Sequence, residues 1–549
     1  MEMFNTPGAK WRMLAPALGL AAATLLSTAC GSSSSGGGAS GGGSASKGSG
    51  GTLRIAMTAG DIPLTDSQPD QGFEGFRFVG YQLYSGLTKW DYEQGQTPPV
   101  AKPALAESWA MDPKDPTKWV FKLRQGVKFH DGTPFNADSV IWAIDRVKTK
   151  DAPQYNAAQA VSVAVRINLL KSWQKIDDYT VEITSTQPSQ YVPEQMLYLM
   201  IPSRTAVEKY GKDDYPMHAA GTGPFKLSNL TARQSAEFVR NEDYFGPKAK
   251  LDKLVLLPMA EASTRLAALR SGQADWIEVP PPDAIEGLKK DGYQLMIKEY
   301  PHVWPYQLNT QAPPWNNLKF RQAAMYAIDR EVMCARLLAG TCIPASSMIY
   351  PGHPWYGNPA TYKYDPEKAK ALIKESGLQT PVKVKLLTSP SGSGQMLPLP
   401  MNEFIQRNFK DVGIDMEIEV IEWNAMGTRT RDGFVGASAS NTHFNSSSAS
   451  VDAYSAFARF FHSRSVPPVG SNRANWVNAE ADRLMDEAEQ VPDVAERNKK
   501  LGRVNEILSQ DLPWLFIVHD MNPRVLSKRV HDYTQAQSWF TSLTEVWVG

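Results

Sequence analysis

A tract of 21 residues, from Gly31 to Gly51, divides this chain of 549 residues into two very different parts. The tract contains 10 Gly, 8 Ser, 2 Ala and one Lys, so it offers almost no apolar surface to bury. Such a composition remains a flexible coil, and its 21 residues span about 25 Å. We therefore expect a tether at residues 31–51 and a folded body in the 498 residues that follow.

The residues before the tether have the pattern of a sorting signal. Lys10 and Arg12 precede an apolar run from Leu14 to Leu26, which is too short to span a bilayer. Cys30 follows small residues at the end of that run and resembles the lipidated Cys of a bacterial lipoprotein signal. We expect a lipid on Cys30 to anchor the protein outside the cytoplasm, in a periplasm or at the cell surface. The alternative is an ordinary secretory signal that is cleaved nearby and leaves a free thiol.

The composition excludes two classes of protein. Hydrophobic residues make up 42% and aromatic residues 10%, so the chain can bury a large core and is not disordered. The 57 basic and 57 acidic side chains cancel, whereas nucleic-acid binders usually carry a basic excess. The length predicts about three domains, and we expect no nucleic-acid partner.

Apolar spacing predicts interspersed strands and helices, which indicates an α/β or mixed fold. Strands are predicted at 53–57, 119–123 and 414–420, where Ile414, Met416, Ile418 and Val420 share one face. Helices are predicted at 137–147, 318–338 (capped by Asn317), 366–376 (capped by Asp365 and closed by Gly377), 479–490 and 494–508. Because an exported protein meets an oxidising compartment, Cys334 and Cys342 are candidates for a disulfide.

Several motifs follow one another in a fixed order. They are Ala104–Trp109, Trp119–Val140 with its His130-Asp131-Gly132 turn, Gly221–Phe225 (GTGPF), Arg321 with Ala327–Arg330, and Tyr364–Ala369. Together they closely resemble the signature of family 5 extracellular solute-binding proteins, which include the oligopeptide-, dipeptide- and nickel-binding proteins of ABC importers. The resemblance covers nearly all of residues 52–549.

The resemblance implies an α/β, two-lobed periplasmic-binding-protein-like fold with an additional inserted domain. Lobe I would comprise residues 52–87, 215–308 and 517–549, the inserted domain II residues 88–214, and lobe II residues 309–516. A ligand would bind between the lobes, which close by a hinge.

The implied function is that of a receptor and not of an enzyme. It would capture a peptide-like, opine-like or sugar-like solute and deliver it to the permease subunits of an ABC importer. We expect a membrane-tethered monomer without a cofactor or a protein-held metal. The alternatives are a secreted carbohydrate-active or peptide-processing enzyme, and a receptor of the same fold for nickel or another metal chelate.

The resemblance also locates a ligand contact. Peptide binders of this family carry an Asp that pairs with the peptide α-ammonium, since a buried cation needs an anion. The matching region, 434–454, contains no acid before Asp452. Its neutral and aromatic side chains are the predicted contacts: Asn441, His443, Phe444 and Asn445. We therefore expect free-amine peptides to bind poorly, unless this segment is simply a disordered Ser-rich loop.

Further candidates come from tryptophans and from the loop after the first strand. Trp304 and Trp423 are predicted pocket walls, with burial in the core as the alternative. The loop after residues 53–57 contributes Asp70, Gln71, Phe73 and Phe76. Arg429 and Arg431 could neutralise an anionic ligand, although we favour a solvated face for them. His130 and Asp131 are interpreted as structural.

Overall fold

The strand Thr52–Met57, predicted from its alternating pattern, lies inside a mixed sheet, here called the first sheet. It pairs in parallel with Lys253–Pro258 and with Trp276–Glu278, and the outer strands are antiparallel. The order across the sheet is Gln294–Met296, Arg524–Leu526, Trp276–Glu278, Thr52–Met57, Lys253–Pro258, Ser235–Arg240 and Phe225–Thr231. The first sheet thus draws its strands from three separated parts of the chain.

The second sheet is also mixed. Its order is Cys342–Pro344, Trp514–Asp520, His302–Gln307, Thr442–Asn445, Val382–Thr388 and Ile414–Val420, and Ser448–Ala449 pairs with His302–Gln307. Strand Val382–Thr388 runs parallel to both of its neighbours. Ile414 and Met416 are buried as predicted. Val420 is 48% exposed, because the C-terminal end of the strand extends beyond the core.

A third sheet is antiparallel and lies between strands of the first sheet in the sequence. Its order is Ala106–Met111, Lys118–Leu123, Thr180–Ser185 and Leu170–Asp177.

The described structure covers residues 48–91, 95, 98–300, 302–431, 442–445, 448–449, 452–467 and 469–549 of a computed structural model. Within these residues, no helix is long and apolar enough to cross a membrane.

Helices flank the sheets. The longer ones are Ala137–Lys148, Ala157–Val163, Arg204–Asp214, Ala262–Ser271, Ile285–Lys290, Leu318–Ala327, Pro366–Glu375, Pro398–Asp411, Trp423–Thr430, Ala479–Gln490 and Val494–Asp511. Short helical segments are Gly72–Gly75, Phe76–Gly80, Tyr81–Leu83, Val192–Gln195, Arg330–Val332, Met333–Leu337, Tyr454–Ala458 and Arg459–Phe461. The side chain of Asp365 accepts a hydrogen bond from the Lys368 N–H, which confirms the predicted cap.

The predicted single helix 318–338 is wrong. It ends at Ala327, because Ile328 is extended and Asp329 accepts a hydrogen bond from the Val332 N–H, which starts a new helix. Cys334, in the last helical turn, forms a disulfide with Cys342 at a Cα–Cα distance of 5.3 Å.

The motif residues His130 and Arg321 bind backbone groups. His130 accepts from the Gly221 N–H at Nδ1 (3.2 Å) and its Nε2 contacts the Gly223 carbonyl oxygen (3.1 Å), so it holds the GTGPF turn. Burial lowers the pKa of His130 to about 4, which leaves the ring neutral for this role. Arg321 donates to the carbonyl oxygens of Trp315 and Asp511. Both side chains have structural contacts, as the sequence interpretation of His130 anticipates.

Candidate ligand-binding site

A cavity of about 370 Å³ lies where the loop after Thr52–Met57 faces the second sheet and its helices. Its volume falls within the usual range for small-molecule sites. The residues that line it are Gly72, Phe73, Arg166, His302, Gln307, Ser393, Gly394, Trp423, Asn424, Met426, Gly427, Thr428, Thr430, Arg431, Phe444, Arg459, Phe460, Arg473 and Trp539. These residues come from widely separated segments, which only the fold brings together.

Aromatic rings form much of the wall. Phe73 packs edge-on against Phe540, with ring centroids 5.3 Å apart. Trp423 begins the helix Trp423–Thr430, whose N-cap Glu422 accepts from the Ala425 N–H. The indole of Trp423 lies so close to Gly392 that a Cβ on Gly392 would come within 2.7 Å of it. Glycine at this position therefore lets the indole stand at the edge of the cavity.

Four arginines share the cavity, and no Asp or Glu is among the described residues that line it. Arg166 follows the helix Ala157–Val163, Arg459 begins the helical segment Arg459–Phe461, and Arg473 lies in the loop before Ala479–Gln490. Arg431 is exposed just beyond Trp423–Thr430. The cavity is therefore strongly electropositive.

Arg166 and Arg473 are held mainly by ring faces and carbonyl oxygens. The guanidinium of Arg166 lies 4.7 Å from the Phe76 ring centroid, and that of Arg473 lies 5.6 Å from Phe444. Arg166 donates to the Ser162 carbonyl oxygen at 2.6 Å. Arg473 donates to the Thr430 carbonyl oxygen, also at 2.6 Å. Since a guanidinium carries five N–H donors, these contacts leave donors for a ligand.

Burial and the repulsion between neighbouring arginines lower the pKa values of Arg166 and Arg473. Burial, followed by the charges of Arg459 and Arg431, lowers the pKa of Arg473 to about 10. Burial and the charge of Arg459 likewise lower the pKa of Arg166 to about 10. In the described part of the chain, none of the four arginines forms an ion pair with a carboxylate. Arg166 and Arg473 nevertheless remain charged at neutral pH, so the site holds positive charge that no described side chain neutralises directly.

The charge of Asp452 acts on Arg166 and Arg459, yet Asp452 does not line the cavity. It accepts hydrogen bonds from the Tyr198 hydroxyl (2.9 Å) and the Ser455 N–H (2.7 Å). Burial outweighs these hydrogen bonds and raises the pKa of Asp452. Asp452 is thus occupied by protein donors.

His302 and Trp539 complete the side of the cavity next to the first sheet. Their rings stack at 5.3 Å, and Tyr300 stacks on His302 at 5.2 Å. Burial, with the charges of His519 and Arg77, lowers the pKa of His302 to about 3. His302 is therefore neutral at physiological pH and adds no further positive charge.

Buried ions lie beneath the loop that carries Phe73. Arg77 pairs with Glu278, and Arg524 Nε lies 3.1 Å from Glu278 Oε1. The guanidinium of Arg77 also lies 4.4 Å from the Trp539 ring. Glu74, one residue beyond Phe73, accepts from the Thr58 N–H and hydroxyl at 2.8 and 2.7 Å. This network fixes the loop and Trp539 relative to the first sheet.

The structure brings together some of the predicted contacts. Phe73, Trp423 and Phe444 line the cavity, and Arg431 lies at its edge. Arg429 instead pairs with Glu419 on the surface. The other predicted residues do not line the cavity: Asp70, Gln71, Phe76, Trp304, His443 and Asn445.

Each of those residues is engaged elsewhere. Trp304 is fully buried in the core of the second sheet, and its indole N–H donates to the Gln395 carbonyl oxygen at 3.0 Å. His443 packs against Tyr306 and Trp315. Asn445 donates to the Pro305 carbonyl oxygen at 3.1 Å. Phe76 packs in the core of the first sheet against Tyr198, at 6.2 Å.

The exposed loop candidates also make local contacts. Asp70 accepts from the Leu64 N–H at 2.7 Å, and Gln71 precedes Gly72–Gly75 in a left-handed conformation. Asn441 and Cys30 lie outside the described residues.

Sequence reasoning missed Arg166, Arg459 and Arg473. Arg459 offered a signal, because it interrupts the apolar run Ala456–Phe461, where a charge needs a specific reason.

Among the residues that the structure describes, no group of three or more His, Cys, Asp or Glu side chains could hold a metal ion.

Comparisons with known proteins agree with this architecture. Residues 100–465 match the family model for bacterial extracellular solute-binding proteins, family 5. Heme-binding protein A of Haemophilus influenzae is 28% identical over 538 residues, which cover 94% of this chain and 96% of that protein. The glutathione-binding protein GsiB of Shigella flexneri is 29% identical over 479 residues, covering 86% and 87%.

A solved structure shows the same fold. The periplasmic binding protein DppA of Helicobacter pylori, associated with an ABC transporter and solved with the peptide STSA, superposes with a TM-score of 0.80. It is 24% identical, and the match covers 91% of this chain and 99% of that one. The predicted α/β periplasmic-binding-protein fold is thereby confirmed.

Proposed function

The chain belongs to the bacterial extracellular solute-binding proteins of family 5, and from this membership we propose that it delivers a small solute to the permease of an ABC importer. Members of this family are receptors, so the alternative of a secreted enzyme is wrong. The observation that carries the proposal is the cavity. It combines aromatic walls with polar groups, which is the usual composition of a site for one small molecule.

The proposed lobes correspond to the sheets only in part, because strand His302–Gln307 of the second sheet falls within the residues proposed for lobe I. Residues 52–87, 215–308 and 517–549 would form lobe I around the first sheet, and residues 309–516 lobe II around most of the second. Domain II, residues 88–214, would contain the antiparallel sheet. Contacts between these parts support closure over a solute: the Glu74 N–H donates to Ser393 Oγ, and the Gln187 side chain donates to Glu489.

Incubation with an extract of small molecules from the source cells tests the receptor role. We expect the extract to raise the melting temperature of solute-free protein, because a ligand that binds only the folded state stabilises it. The solute recovered after denaturation should have an unchanged mass. Conversion of the solute into a product would contradict the proposal.

We further propose that a lipid on Cys30 anchors the protein to the cell membrane, with residues 31–51 as a tether. Replacing Cys30 with Ala should release the protein from the membrane fraction into the soluble fraction, since one apolar run of this length does not span a bilayer. Ser32→Ala, two residues away in the tether, should leave the distribution unchanged. Fractionation followed by immunoblotting measures both variants, and a membrane-bound Cys30→Ala protein would refute lipidation at this residue.

A further inference from the structure

Charge in the cavity defines the chemical class of the solute. We infer that the solute is a polyanion with at least two acidic groups, and that it bridges Arg166 to Arg459 and Arg473. This inference rests on the proposed receptor function.

The first step is the charge balance. Four arginines line the cavity, whereas the described lining residues include no carboxylate. A cation removed from water is costly unless an anion accompanies it. The described protein supplies backbone carbonyl oxygens and ring faces at the guanidinium groups of Arg166 and Arg473, but no ion pair. A bound solute with acidic groups would complete the charge balance.

The second step is geometry. Arg166 belongs to the segment that carries the antiparallel sheet, whereas Arg459 and Arg473 belong to segments that pack on the second sheet. All three arginines line the same cavity, and the charge of Arg459 acts on both Arg166 and Arg473. Like charges repel one another, and an anion placed between them reverses that effect. A single acidic group would leave most of this positive charge unbalanced, so we expect at least two.

The third step concerns the rest of the solute. Phe73, Trp423, Phe444 and Phe460 surround the arginines, so an apolar or planar portion has rings to pack on. Asp452, the acid that could have held an ammonium group, is occupied by Tyr198 and Ser455. A simple dipeptide would therefore find no acid for its ammonium group among the described lining residues, and it offers the arginines a single carboxylate.

Citrate is a suitable probe because it carries several carboxylates and no ammonium group. In solute-free protein at constant ionic strength, we expect 10 mM citrate to raise the melting temperature by at least about 2 °C. The same concentration of the dipeptide Gly-Leu, or sodium chloride of equal ionic strength, should give no shift. Absence of a citrate shift would overturn the polyanion inference.

Charge-removing variants assign the effect to the cavity. Arg459→Gln and Arg473→Gln should each weaken citrate binding at least about tenfold in calorimetry, because each removes charge-assisted hydrogen bonds. Arg429→Gln is the matched control, since Arg429 pairs with Glu419 outside the cavity, and its citrate affinity should equal that of the wild type. Equal affinity in all three variants would overturn the assignment of the site.

Two further measurements distinguish a failure of the polyanion inference from misfolding of the variants and from a failure of the proposed receptor function. Because each variant relieves repulsion among half-buried cations, the melting temperature without ligand should stay the same or rise. If the cell extract stabilises the protein but the recovered solute is neutral, the polyanion inference fails while the receptor function stands. If neither extract nor citrate stabilises it, both fail.

Discussion

Replacing Glu278 with Gln should lower the free energy of unfolding by about 3–5 kcal/mol, because it leaves Arg524 without its anion and Arg77 with only the more distant Glu74, at 3.9 Å. Glu278 contacts both Arg77 and Arg524, and all three side chains are at most 1% exposed. Gln would still accept the hydrogen bond of the Trp276 indole N–H, which is 2.6 Å long. The expected loss of unfolding free energy is therefore due to the charge of the side chain and not to its shape.

The control for Glu278→Gln is the same substitution in an exposed pair of the first sheet. Glu237 lies 2.6 Å from Lys253, and both side chains are partly exposed. Glu237→Gln should cost less than about 1 kcal/mol, as surface ion pairs usually do. Urea titration followed by circular dichroism measures both variants. Equal stability of the two variants would refute a structural role for the buried ions.

The effect of Glu278→Gln should also depend on pH. Burial alone would raise the pKa of Glu278, but the charges of Arg77 and Arg524 outweigh it and lower the pKa. A carboxyl group with a lowered pKa stabilises the fold above the pKa of the unfolded chain, which is about 4.3 for Glu, and loses this effect as the pH falls through the folded value. The difference between wild type and variant should therefore narrow below about pH 4.

Replacing Trp423 with Ala should raise the Kd of the recovered natural solute about 10- to 100-fold, which corresponds to the burial of one large side chain. Trp423 lines the cavity and is partly exposed. It is not part of the buried core of the second sheet, so the melting temperature of the unliganded variant should change little. Loss of binding with retained stability is the expected pattern.

Trp173→Ala provides the opposite pattern and serves as the control. Trp173 lies on the antiparallel sheet, packs against the core there and donates to Asp145 at 3.1 Å. Its removal should lower the melting temperature and leave the Kd unchanged, as measured by calorimetry with the same solute. An unchanged Kd in Trp423→Ala would show that the indole does not contact the solute.

Local sequence patterns predicted most helices and strands, because these elements depend on residues that are close together in the sequence. The alternation of Trp119, Phe121 and Leu123 gives a strand with those three side chains buried, and Ala479–Gln490 is a helix with the predicted bounds. The helix predicted at 318–338 failed because apolar spacing continues past Asp329, while that side chain caps a new helix. Spacing alone does not show such a break.

The cavity depends on tertiary packing, which explains why its arginines escaped prediction. Arg166 and Arg459 are nearly 300 residues apart in the sequence, and no local pattern relates them. Trp304 and Trp423 look alike in the sequence, yet Trp304 is fully buried and Trp423 faces the cavity. Phe73 was predictable because it follows a strand end, where binding loops occur.

Native mass spectrometry of the protein purified from its own host tests the central claim most directly. We predict a complex in which each protein carries one small molecule with at least two acidic groups, released when the protein unfolds. The Arg459→Gln and Arg473→Gln variants should be recovered without it. Recovery of wild-type protein with a neutral or cationic solute, or with the same acidic solute in both variants, would contradict the account.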